Sequence, residues 1–240
     1  RIYEQAAGVM TMSERARASF VEGFGLPGKD VHTVHAGPNF DMDAIPDPPP
    51  NVHDRPSTVL FVGKQFQRKG GDLLLKAFSD VRRHHPEARL LIVGPPELEI
   101  EQSGVQCLGF LDKGTEDGWQ AMARAYAEAD VFCLPTRFEP FGIAYLEAMC
   151  FGVPCVGPRA WAVPEIIEHG ETGYLYSPGN RRELASRLTA LLDAPQEARQ
   201  MGKAGRKRVL GYFTWEKTTE RMMGVFEKVL NGSTGHKTPD

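Results

Sequence analysis

The chain of 240 residues has no C-x-x-C pair, no H-E-x-x-H and no apolar run long enough to span a membrane. Each absence closes off a class of function. The four cysteines, Cys107, Cys133, Cys150 and Cys155, read as small core residues of a protein in a reducing compartment, the cytoplasm. The seven histidines show no metal-ligand spacing, and the adjacent His84 and His85 cannot share one helix face, so no metal site is expected. No signal-peptide pattern is visible. An excess of one charge sign is missing too. The net charge of −3 leaves no general nucleic-acid footprint. One basic stretch, Arg199, Lys203, Arg206, Lys207 and Arg208, reads as the solvated face of a helix, with docking to anionic lipid as the alternative. The chain opens on Arg rather than Met, so a processed or incompletely represented protein is expected.

What is present is a pair of acids. Glu139 and Glu147 bracket E-P-F-G-I-A-Y-L-E, with seven residues between the two carboxylates. The upstream V-F-C-L-P, 131–135, is an apolar run that reads as a buried parallel strand. The downstream segment from Phe141 to Phe151 is almost wholly apolar and free of proline, and reads as a buried helix. One acid therefore sits at a strand exit, and the other two helical turns further on. Ligands of open α/β sheets bind at that edge. Gly142 permits close approach to the backbone, and the amides of Gly142 and Ile143 at a helix start suit a phosphate. A carboxylate at Glu147, among apolar neighbours, needs polar partners, and a sugar diol supplies two donors. Taken singly, Glu139 also reads as an ordinary helix-start acid, and Glu147 as solvated or paired with an unseen Arg.

From residue 57 strands and helices alternate. Strands are expected at 58–62, 89–93, 105–108, 131–134, 153–156 and 174–176. Helices are expected at about 71–85, 117–128, 141–151 and 164–168, then 181–193, 196–211 and 215–230, with Pro195 and Gly211 as punctuation and Thr214 as an N-cap. Apolar strands alternating with helices imply an α/β fold: a Rossmann-like parallel sheet with helices on both faces, followed by C-terminal helices. Upstream lie a strand-like G-V-M-T-M, a helix from Ser13 to about Phe24 and a strand V-H-T-V-H, too little to bury a core alone. The proline-dense segment 44–56 is a linker.

The strand at 58–62 runs into G-K-Q-F-Q-R-K-G-G, 63–71. Gly63, Lys64 and Lys69 at a strand end suit a diphosphate, although two such lysines alone also read as surface residues. This segment is neither a Walker loop nor a G-x-G-x-x-G turn, and a nicotinamide-dependent oxidoreductase is set aside on that ground.

The run F-E-P-F-G-I-A-Y-L-E-A-M-C-F-G-V-P-C-V, with V-P-E-I-I-E-H-G-E-T-G-Y-L after it, resembles the signature of the retaining, nucleotide-sugar-dependent glycosyltransferases of family 4, which have the GT-B fold. The resemblance covers about residues 8–230 and is specific over 131–177. It implies that 57–213 is the donor-binding domain and 214–231 a crossover helix. Residues 1–43 then resemble a remnant of the acceptor-side domain, and 232–240 a flexible tail. It implies transfer of a sugar from an NDP-sugar, a UDP-sugar being the expected donor, to an unidentified acceptor hydroxyl, without a metal. Glu139 would contact the donor sugar, Glu147 the ribose, and Lys64 and Lys69 the leaving diphosphate. Phe141, Gly142 and Ile143 would line the donor site, and Leu111 would lie near the base. Glu165 resembles a recurring family acid, although a helix-start acid explains it equally. Three features depart from the family pattern: Lys64 replaces the expected Arg, Pro95–Pro96 replaces a flexible turn, and H-A-G-P-N-F-D at 35–41 weakens any donor role for Asn39 or Asp41. Such a chain is expected to be inactive by itself. It is expected to self-associate through apolar residues of its last helix, Trp215, Met222, Met223, Val225, Phe226, Val229 and Leu230, and a full enzyme to meet the cytoplasmic face of a membrane peripherally. A non-catalytic nucleotide-binding or scaffold module is the alternative.

Overall fold

A computed structural model of the chain describes residues 3–40, 42–45 and 55–233. Asp41, most of the proline-dense linker and the end of the tail fall outside the described residues.

The apolar runs from residue 57 onward form strands, buried on both faces except in the edge strand at 105–109, where Gln106 is exposed and the rest half-buried. They are β3 (Thr58–Val62), β4 (Arg89–Val93), β5 (Val105–Gly109), β6 (Val131–Cys133), β7 (Cys155–Pro158) and β8 (Gly173–Tyr176), following β1 (Val9–Thr11) and β2 (Val31–Thr33). Among the described residues β3 to β8 make one sheet, ordered β5-β4-β3-β6-β7-β8, with every pairing parallel. Parallel pairs need crossovers. These are α2 (Gly71–Val81), α3 (Glu116–Ala127), α4 (Ile143–Cys150) and α5 (Val163–Ile166). Phe61, Phe78, Leu90, Ile92, Phe132 and Leu134 lie in the core between the layers. After β8 come α6 (Arg181–Asp193), α7 (Pro195–Tyr212) and α8 (Trp215–Ser233).

Several boundaries differ from expectation, each for a local reason. α2 stops at Val81 rather than His85: Arg83 N and His84 N bond three residues back, to Asp80 O and Val81 O, tightening 82–84 into turns, and Pro86 disfavours helical backbone at His85. β7 starts at Cys155, not Val153. The Val153 amide bonds Ala148 O at the end of α4, and Pro154 has no N–H to give the ladder. Gly211 does not end α7, which runs on to Tyr212. The letters G-F-G-L-P-G at 23–28 satisfy G-x-G-x-x-G, but they follow a π-helical turn rather than a strand, so they lack the context of a dinucleotide site.

Residues 3–40 add a small parallel pair, β1 with β2, and α1 (Glu14–Ala18), N-capped by the Ser13 hydroxyl. α8 is capped by Thr214, whose hydroxyl accepts from the Lys217 amide, and the helix ties this segment down. Trp215 Nε1 donates to Pro38 O and Arg221 donates to Val34 O. The apolar residues of α8 divide accordingly. Val225 is buried and Met222 and Val229 are half-buried, whereas Trp215, Met223, Phe226 and Leu230 stay exposed. The basic stretch on α7 divides too. Arg206 donates to Cys150 O, Arg208 donates to Ile166 O and Glu165 O, and Arg199 is half-buried, so of the five only Lys203 and Lys207 are exposed. Among the described residues no helix is long and apolar enough to cross a membrane.

Candidate functional site

The sheet order locates the site. The chain goes from β3 outward through β4 and β5, then returns to the other side of β3 as β6. The crevice beyond the carboxyl ends of β3 and β6 is a topological switch point, where ligands of open α/β sheets bind. The loop after β3, 63–70, and the loop after β6, 134–142, meet there. Arg137 N donates to Arg68 O at 2.9 Å. Gly70, at φ 76°, lies so close to the Pro135 carbonyl that a Cβ would sit 1.9 Å from its oxygen. That approach carries Lys69 to Glu139: Nζ stands 2.5 Å from Oε2. Glu139 is only 5% exposed, so its charge is balanced by this lysine rather than by water. Lys69 and Glu139, assigned separate tasks from the sequence, form one ion pair.

α4 starts immediately after Glu139. Gly142 is its N-cap at φ 110°, and a Cβ there would press on the Tyr145 ring at 2.8 Å and on Glu139 Cγ at 3.3 Å. The amides of Ile143 and Ala144 belong to the helical turn that lacks intrahelical acceptors, four to five residues after Glu139 in the chain.

Glu147 lies on the second turn of α4 and is 4% exposed. Its polar partners come from within the chain. Lys113 Nζ is 2.6 Å from Oε1, and Tyr126 OH donates to Oε2 at 3.1 Å. The polar partners expected for this carboxylate are thus supplied in part by Lys113 and Tyr126. A carboxylate has about four acceptor positions, and two are taken here. Burial, then the neighbouring Glu147 charge, pushes the Tyr126 hydroxyl well above its usual value, so it is a permanent donor. Lys113 also sits over the Phe40 ring, 4.6 Å from its centroid. Beside them is a cavity of about 350 Å³ lined by Asn39, Phe40, Lys113, Thr115 and Trp119 among others. Neither Lys113 nor Tyr126 was read from the sequence. Tyr126 carried a signal: a tyrosine on the buried stripe Met122–Ala125–Tyr126 needs a partner for its hydroxyl. Lys113, in a D-K-G turn, carried none.

The other expected residues lie as follows. Gly63 closes β3 and donates to Val93 O. Lys64 is exposed, its ammonium 4.1 Å from the centroid of the Phe110 ring rather than beside Lys69. Leu111 is half-buried against the core, beyond Gly109 at the end of β5. The Phe141 side chain is buried against His35 and Phe213, so any contact it makes with a ligand must come from its backbone. Asn39 borders the Lys113 cavity, and Asp41 lies outside the described residues. Among the described residues no three His, Cys, Asp or Glu side chains converge as metal ligands. The cysteines are free thiols. Burial pushes Cys133 and Cys155 well up, and Cys150 up to about 12.

Glu165 is more than a helix-start acid. Its carboxylate accepts from Glu14 N at 2.7 Å and Arg15 N at 2.9 Å, and lies 3.2 Å from His35 Nε2. It thus caps α1 from across the chain and fastens residues 3–40 to the sheet domain. Burial raises its affinity for a proton, but bonds from His35 and the two amides outweigh this and hold it below the usual carboxylate value. A lowered folded-state value stabilises above the unfolded value, and that stabilisation disappears as pH falls through the folded one. Glu165→Gln is therefore expected to be less stable than wild type at pH 6, with the difference shrinking below pH ~4.5. Urea unfolding at pH 6 and pH 3 checks this, and a gap that widens in acid refutes it.

Comparison with known proteins gives the family and the fold. Residues 46–208 match the family described as Glycosyl transferases group 1. The chain is 28% identical to the MMP alpha-(1->4)-mannosyltransferase of Mycolicibacterium hassiacum, over 96% of this chain and 56% of that protein. It is 32% identical to the GDP-mannose-dependent alpha-(1-6)-phosphatidylinositol monomannoside mannosyltransferase of Mycolicibacterium smegmatis, over 92% of this chain and 62% of that protein. The chain thus spans roughly half the length of the curated relatives it matches. Its fold is similar to that of sucrose-phosphate synthase from Thermosynechococcus elongatus, with TM-score 0.79, 24% identity and coverage of 96% of this chain and 60% of that one. It is also similar to Anabaena Alr3699/HepE in complex with UDP and glucose, with TM-score 0.75, 18% identity and coverage of 92% and 63%.

Proposed function

From the premise that this chain belongs to the group 1 glycosyl transferases, we propose that it is the donor-binding part of a retaining enzyme that moves a sugar from an NDP-sugar to an acceptor hydroxyl. The observation that carries the reading is the Lys69–Glu139 pair at the switch point, just ahead of α4, with Glu147 on the second turn of that helix. The diphosphate lies across the α4 amides and Lys69, whose ammonium has three donors and can serve Glu139 and a phosphate oxygen together. Lys64 swings from Phe110 to the same phosphates. Glu139 accepts from a hydroxyl of the donor sugar, and Glu147 from the ribose hydroxyls. As the bond from the anomeric carbon to the phosphate oxygen breaks, negative charge grows on the diphosphate, and these fixed cations and dipoles stabilise it. They do so without a divalent cation. Gly63 and the backbone of Phe141 and Leu111 line the rest of the donor site. The four free cysteines support a reducing, cytoplasmic setting.

A UDP-sugar is the first donor to test. GDP-mannose is the second, since a relative 32% identical is named for it. A thermal-shift series in EDTA with UDP-, GDP- and ADP-sugars decides. The donor at about a hundred times its dissociation constant adds about 2.7 kcal/mol of stability. Stabilisation seen only after Mg²⁺ or Mn²⁺ is added overturns the metal-free mechanism. A non-catalytic nucleotide-binding module would bind the nucleotide equally. It differs in giving no transfer when residues 1–240 are tested within the full-length protein that contains them.

A further inference from the structure

We propose that Phe138 and Trp161 form a stacking subsite for a pyranose ring at the rim of the donor site, an inference that rests on the nucleotide-sugar reading above. The two rings stand 5.1 Å apart at 72°, a corner with one face and one edge. Both are open to solvent, Phe138 at 49% and Trp161 at 37%. Phe138 immediately precedes Glu139, and the residue after Trp161 holds the same acid, Ala162 N donating to Glu139 O at 3.4 Å. The corner is thus fixed on both sides to the backbone of Glu139, the acid assigned above to the donor sugar.

The backbone of Trp161 supplies a second, independent observation. Among the described residues only His35 and Trp161 have positive φ without being glycine, and Trp161 is at 60°. A bulky side chain is strained in that region, and such strain persists where something else demands the residue. For His35 the demand is visible, since its buried ring reaches Glu165 and packs on Phe213. Trp161 has no comparable burial. Glycine would serve the turn better, and the indole in its place meets the Phe138 ring and is partly open to solvent.

What it offers is an aromatic face beside a polar rim. The axial C–H bonds on one side of a pyranose are apolar and weakly positive, and they match the negative face of an aromatic ring. The hydroxyls around that sugar need hydrogen-bond partners. Arg68 stands at the corner, its guanidinium donating to Phe138 O at 2.9 Å. Two rings with an adjoining guanidinium offer the apolar face and the polar donors that one pyranose ring uses together.

Saturation-transfer NMR on the intact chain tests this, with methyl α-mannoside and maltose as probes. The wild type is expected to transfer saturation to the protons of one ring face. Phe138→Ala and Trp161→Gly are expected to lose that signal. Trp161→Gly also separates binding from packing: relief of the left-handed strain is expected to leave its melting temperature equal to or above wild type. Intact signal in Trp161→Gly, no signal from the wild type, or a melting temperature that falls while the signal stays overturns the subsite. Repeating the titration with UDP-glucose or GDP-mannose present identifies the ring. Displacement of the glycoside assigns the corner to the donor hexose, and co-binding assigns it to an acceptor sugar. Nucleoside diphosphate binding is measured on the same samples. If it is absent while the glycoside signal is present, the donor reading fails and the aromatic subsite stands.

Discussion

Lys69→Met is expected to lower the unfolding free energy by about 3 kcal/mol or more, because removing one partner of a buried ion pair leaves the other charge uncompensated. Glu139 is the charge left behind: its side chain is 6% exposed, and Lys69 Nζ is the ion-pair partner at 2.5 Å. In a chain of this length that loss corresponds to a melting temperature lower by roughly 10 °C. The same variant is expected to lose nucleoside diphosphate binding. Stability and binding can be separated with the double variant Lys69→Met with Glu139→Gln. It removes the orphaned charge and is expected to recover most of the stability, while binding stays lost. Differential scanning calorimetry and titration calorimetry read the two effects. Wild-type affinity in either variant shows that Lys69 is a structural partner of Glu139 and not a phosphate ligand.

Glu147→Gln is expected to act the other way round, with little loss of stability and a large loss of affinity. Its cation, Lys113, has a side chain 31% exposed and can turn to water when the carboxylate is gone. Hydrogen bonds to a charged group contribute roughly 1.5–3 kcal/mol, so losing the ribose contacts should weaken nucleotide binding about 10- to 100-fold. A 2′,3′-dideoxy nucleotide should bind the wild type poorly and Glu147→Gln equally poorly, because the hydroxyls and the carboxylate act as one pair. Unchanged binding of the normal nucleotide by Glu147→Gln assigns Glu147 to the Lys113–Tyr126 network alone and removes the ribose from the mechanism. That network makes the test necessary, since Glu147 has partners before any ligand arrives.

Much of this molecule follows from local pattern. The apolar runs at 58–62 and 89–93 are strands with those bounds, because buried parallel strands carry no polar face. The helix at 181–193 starts at Asn180, whose side chain accepts from Glu183 N, and Ser13 and Thr214 act as N-caps for the same reason. The spacing of Glu139 and Glu147 places one acid at a strand exit and the other on the helix that follows, and it does so within nine residues of chain. These features depend on neighbours a few positions apart, and composition and periodicity report on such neighbours directly. Other features depend on strand order. Lys69 meets Glu139 across 70 residues only because β6 returns to the side of β3. Lys113 reaches Glu147 across 34 residues, Glu165 caps α1 from 150 residues away, and the Trp161 indole finds Phe138. No periodicity encodes which strand lies beside which. That choice is made when whole faces of helix and sheet are buried together, and it decides which loops share an edge. The sequence by itself determined the elements and the two acids. The tertiary structure alone decided which cations those acids meet and which aromatic rings stand beside them.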